Sequence, residues 1–165
     1  MTAVTAGAYH KGIDILETMV STVPDDHHRC MVYYVMGLCY WQLEDWFSAA
    51  SALMESVQAD AGYVHAGSMH RMIANCYTRL KAAGEISAEE ADPVIEWGYR
   101  TLFEKYPDSR DVIPAALHLI EINLARGRPV TAGVYINWFL DHTDMDYPRR
   151  ILALRLITAG LEVCE

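Results

Sequence analysis

The chain contains no run of apolar residues approaching the roughly 18 that a membrane-crossing helix needs, and nothing basic precedes an apolar stretch between Met1 and His10. Neither a membrane anchor nor a secretory leader is expected, and the default address is cytoplasmic. Basic side chains are few: 13 Lys and Arg stand against 22 Asp and Glu, a net charge of −9. That field repels phosphate backbones and anionic lipid, so nucleic acid and membranes are not the expected partners. Cys30, Cys39, Cys76 and Cys164 form no C-x-x-C pair and read as reduced packing thiols. Thiol and imidazole occur together at His27, His28 and Cys30, but adjacent histidines at a helix entrance do not have a ligand spacing, so no metal or cofactor is expected. Period-two alternation is missing as well, which argues against strands.

What the chain does have is continuous apolar spacing of three and four, with 52% hydrophobic residues. The expected fold class is all-α, a single domain of about eight antiparallel helices over residues 1–165. Ile13, Leu16, Met19 and Val20 share one face of a first helix over about 8–21, stopped by Pro24. Asp25 or Asp26 caps a second over about 27–43, and Asp45 a third running to about Ala59. A fourth covers about 63–81. The stretch 82–93, rich in Ala, Gly, Glu and Asp, reads as a long turn, with Ser87 and Glu90 at capping-box spacing around a short helical turn. The fifth helix is expected from Pro93 to Tyr106, the sixth from Asp108 or Ser109 to Gly127, and the seventh from Pro129. An eighth begins near Pro148.

Tyr33, Met36, Gly37 and Tyr40, followed by Leu43, Asp45, Trp46, Ala49 and Leu53, resemble the signature of a tetratricopeptide repeat. In such a unit, two antiparallel helices touch at small residues, here Gly37 and Ala49. Gly37 and Tyr40 recur as Ala74 and Tyr77, slightly beyond the usual period of about 34 residues. A third unit shows in Gly127, Arg128, Pro129 and Ala132, with Ile120 at the glycine position and Asn123 at the tyrosine position. The repeats would span about 27–60, 63–107 and 109–143, between an orphan helix at 8–22 and a terminal helix at 147–164. The segment from Lys11 to Leu53 is also similar to the repeat pair of mitochondrial fission receptors, although no membrane tail follows Pro148.

The resemblance implies a right-handed α-solenoid whose groove holds a peptide or a partner's helix. Its geometry places Tyr34, Leu38 and Trp41 on the groove in one repeat and Arg71, Asn75, Thr78 and Arg79 in the next. Half of that surface is apolar, and half is basic and amide-bearing, which suits an apolar anchor beside a carboxylate. Arg71 and Asn75 resemble part of the carboxylate clamp of some family members, but Tyr34 and Leu38 occupy the positions where its other half would need a basic residue and an asparagine. No nucleophile sits beside a base and no phosphate loop is present. His65 and His70 fall on a helix with Arg71, and Asp141, His142 and Asp144 crowd one turn, but helix ends attract such residues without catalysis, so an enzyme is not expected. The expected role is a protein-binding adaptor, scaffold or assembly factor. The alternatives are a small acidic secretion-type chaperone and a self-assembling module, the latter because Ile151, Leu154 and Leu161 belong to a terminal helix that is apolar around most of its circumference.

Overall fold

The computed structural model describes residues 3–142. Among the described residues there are seven helices and no strands: α1 (Ala3–Val20), α2 (Asp26–Gln42), α3 (Trp46–Ala59), α4 (Ala66–Ala82), α5 (Ala88–Lys105), α6 (Val112–Ala125) and α7 (Pro129–His142). The described residues are all-α, as the apolar spacing predicts. No described helix is long and apolar enough to cross a membrane. The expected eighth helix, with Ile151, Leu154 and Leu161, lies outside the described residues.

Local signals explain most boundaries. Asp25 caps α2 by accepting from the His28 amide at 2.9 Å, and Asp45 caps α3 by accepting from the Ser48 amide at 3.1 Å. The Ser87 and Glu90 pair forms a reciprocal capping box. The Glu90 amide donates to Ser87 Oγ at 3.2 Å, while the Ser87 amide and hydroxyl donate to the Glu90 carboxylate at 2.9 and 2.8 Å. That box starts α5 rather than an isolated turn, so the helix begins at Ala88 instead of Pro93 and carries Pro93 inside it. Two other starts fall later than expected. Tyr63 belongs to a turn that precedes α4, and Ser109 to a turn that precedes α6, in which its hydroxyl accepts from the Asp111 amide at 3.2 Å.

Helices α2, α4 and α6 end in the same chain reversal. Glu44, Gly84 and Gly127 each adopt a left-handed conformation, and the following amide reaches back five residues: Asp45 to Tyr40, Glu85 to Leu80 and Arg128 to Asn123. This is the Schellman arrangement, which favours glycine because a Cβ is strained at positive φ. Glu44, at φ 60°, is the one described residue other than glycine in that region.

The chain divides into two compact units, Met1–Gly98 and Tyr99–Glu165, with the boundary inside α5. In the first, α1 packs on α2, α2 on α3 and α3 on α4. Cys30, Leu53, Val57, Met69, Met72 and Ile73 form its main buried cluster; Val32, Met36 and Ala52 extend the core toward Leu16, Val20 and Val23. Two glycines lie at close approaches between helices. A Cβ built on Gly37 would lie 2.8 Å from Leu53 Cγ, and one on Gly98 would lie 2.8 Å from the His70 carbonyl oxygen and 3.1 Å from the Ala74 Cβ. In the second unit, α6 packs on α7 around Ala116, Ile120, Ala132, Ile136 and Phe139. The bulk of Ile120 is accommodated there in one cluster with Ala132.

Candidate functional site

Helix spacing puts Tyr34, Leu38 and Trp41 on one face of α2, because positions i, i+4 and i+7 lie above one another. All three are half-buried and pack against the main cluster of the first unit. Their surroundings then differ. Tyr34 stacks on His65 with ring centroids 5.2 Å apart and meets Tyr63 edge-on at 5.9 Å. Trp41 lies at the other end of α2, edge-on to Trp46 at 5.2 Å, beside a buried group of Ala49, Ala50 and Cys76.

Four of the seven residues expected on the groove come together. Trp41 from α2 and Asn75, Thr78, Arg79 and Ala82 from α4 line one depression of about 390 Å³. The Arg79 guanidinium sits over the Trp46 ring at 5.7 Å from its centroid, a cation–π placement. The depression thus offers an indole wall, an amide, a hydroxyl and a held cation. Tyr34, Leu38 and Arg71 are not part of its lining: Arg71 is half-buried on α4, and Tyr34 is engaged at the α3–α4 turn. The sequence marks Trp46 only as a repeat residue; its part in holding Arg79 has no sequence signal, since it depends on how α3 is rotated against α4.

No protein-family model, curated protein or solved structure matches the chain.

The histidines have structural partners. His27 Nδ1 donates to Asp60 at 2.8 Å, which ties the start of α2 to the end of α3, and His28 Nδ1 donates to the Asp25 cap at 2.8 Å. The His27 hydrogen bond holds the Asp60 carboxyl below the usual carboxylate range; Asp25 is lowered first by the His28 amide and then by its ring. Cys30 is fully buried, its Sγ 3.3 Å from Ser56 Oγ, while the Ser56 hydroxyl donates to the Cys30 carbonyl at 2.8 Å. The exposed imidazoles and this thiol therefore serve different contacts. His70 is buried edge-on to Trp97 at 4.9 Å, and His142 stacks on Trp138 while donating to its carbonyl at 2.8 Å. Cys30, Cys39 and Cys76 are free thiols, and burial pushes all three up, Cys76 to about 12, which keeps them protonated at neutral pH.

Proposed function

We propose that the chain is a tetratricopeptide-like helical-repeat module that binds a segment of another protein at the Trp41, Asn75, Thr78 and Arg79 depression. The observation that carries this reading is the convergence of side chains from α2 and α4, which the repeat resemblance makes the first helices of two successive units, on one open depression. Packing of successive helices, the same reversal at the ends of α2, α4 and α6, and small residues at Gly37 and Ala74 support the repeat assignment.

The mechanism is preorganisation. Arg79 is steered by the Trp46 ring and Trp41 is braced by the same indole, so little side-chain freedom is lost when a ligand docks. An apolar ligand side chain covers Trp41, and a carboxylate beside it pairs with Arg79, whose planar fork donates to both carboxylate oxygens. Trp41 also packs on the core, so the test uses the exposed positions: Thr78→Trp fills the depression and Arg79→Ala removes its cation. Peptides selected from a displayed random library on the wild-type chain should carry an apolar residue near Asp or Glu, and should lose at least roughly tenfold in affinity for the double variant while its circular dichroism is unchanged. Selected peptides that bind both proteins equally would reject the site.

A further inference from the structure

A second depression, of about 220 Å³, lies in the first unit on a different face of α2. Tyr33, Met36 and Tyr40 line it at positions i, i+3 and i+7, whereas the site at Trp41 uses the face offset by one residue. Helix α3 supplies the rest of the lining with Phe47 and Glu55 and the small residues Ser48, Ser51 and Ala52. Phe47 is 64% exposed, a large ring at the rim that the described chain leaves uncovered.

The charged groups that line this pocket or act on its Tyr40 are acidic. The Tyr40 hydroxyl donates to Glu17 of α1 at 3.4 Å, Glu55 is in the lining, and no Lys, Arg or His lines it. After burial, the carboxylates of Glu17, Asp45 and Asp14 are what push the Tyr40 phenol up, so all three act on the same ring. Aromatic faces attract cations through their quadrupoles, and carboxylates at the edge add direct attraction. The charge of −9 extends that preference beyond contact distance.

We propose that the pocket between Tyr33, Tyr40 and Phe47 receives an arginine side chain from a basic segment of a partner protein. A guanidinium suits it better than an ammonium. It is planar, it stacks on aromatic rings, and it is more weakly hydrated, so it gives up less on entering a pocket with aromatic walls. The apolar stem of the same side chain covers Met36 and Ala52. This site is separate from the depression at Trp41 and recognises the opposite charge.

The probe is a fluorescein-labelled peptide of alternating leucine and arginine, with a twin in which citrulline replaces arginine and removes only the charge. Fluorescence anisotropy at physiological ionic strength should show the arginine peptide binding roughly tenfold tighter than its twin. Phe47→Ala and Glu55→Lys should each weaken the arginine peptide by about threefold to tenfold, with unchanged circular dichroism because both side chains are exposed. Glu85→Lys, an equal change of charge at another exposed position, should leave binding within about twofold, as should the Thr78→Trp and Arg79→Ala pair. Equal binding of the two peptides, no binding of either, or equal weakening by Glu85→Lys and Glu55→Lys would overturn the proposal. Loss through the Thr78 and Arg79 variant alone would place basic ligands at the other site and overturn it too.

Discussion

Replacing Gly98 with alanine sets two effects of known sign against each other. Alanine in a helix interior is favoured over glycine by about 0.8–1 kcal/mol. The added methyl group, however, would lie 2.8 Å from the His70 carbonyl oxygen and 3.1 Å from the Ala74 Cβ, both parts of α4 that cannot turn aside as a long side chain can. Overpacking of this kind costs about 1–3 kcal/mol, with the upper part expected where backbone must move. The net expectation is a destabilisation of about 1–2 kcal/mol. Gly37→Ala meets Leu53 Cγ at 2.8 Å and Cδ2 at 2.9 Å, side-chain atoms rather than backbone, so its loss should be smaller. Gly133→Ala meets nothing within 4 Å and should stabilise by up to about 1 kcal/mol. Urea unfolding followed by far-UV circular dichroism gives all three midpoints, and the order should be Gly133→Ala above wild type, then Gly37→Ala, then Gly98→Ala. A Gly98→Ala chain as stable as wild type, or more stable than Gly37→Ala, would refute the claim that α4 and α5 touch at this glycine.

Glu44→Gly should raise stability by a few tenths to about 1 kcal/mol in the same assay, because relief of the left-handed strain exceeds the extra chain entropy of glycine; a loss would mean the Glu44 side chain contributes more than its backbone costs. Asn123 is buried, with Nδ2 donating to the Leu119 carbonyl at 2.7 Å and Oδ1 without a hydrogen-bond partner, so Asn123→Leu should raise the urea midpoint, and a lowered midpoint would contradict this. Asp25, Asp60 and Glu90 have folded-state pKa values held below their ordinary 3.8, 3.8 and 4.5, so their contribution is present above those values and disappears as pH falls through the lower folded ones. The urea midpoint should therefore drop on acidification below about pH 4, and Asp60→Asn should flatten that acid limb; an unchanged limb would remove the His27 to Asp60 bond from the account. In a Cys39→Ser, Cys164→Ser chain, Cys76, followed by mass spectrometry of its own peptide, should resist alkylation at about pH 8 until urea unfolds the protein, since burial pushes its pKa up to about 12; rapid labelling of that peptide in the folded chain would show the thiol is accessible.

The helices themselves were legible because their determinants are local. Asp25 and Asp45 cap through amides three residues away, Ser87 and Glu90 close a box within one turn, and Pro129 opens α7 where its lost N–H matters least. The same locality explains the misplaced starts: Ser109 has capping chemistry but uses it in a turn before α6, and Pro93 sits within a helix that the stronger box at Ser87 had already started. Which side chains meet across helices was not local, and only the tertiary structure decided it. Tyr34 and Trp41 occupy the same α2 face in the sequence, yet one stacks on His65 and the other meets Trp46, because the α3–α4 turn and the rotation of α3 bring different rings to each end. Arg79 over Trp46, the Gly98 contact with His70 and Ala74, and the joining of Trp41 to Asn75 and Thr78 likewise depend on the angle and offset between packed helices. Apolar periodicity determines which face a helix buries; the partner on that face is selected by how neighbouring side chains fill the shared space, a property of the packed chain as a whole.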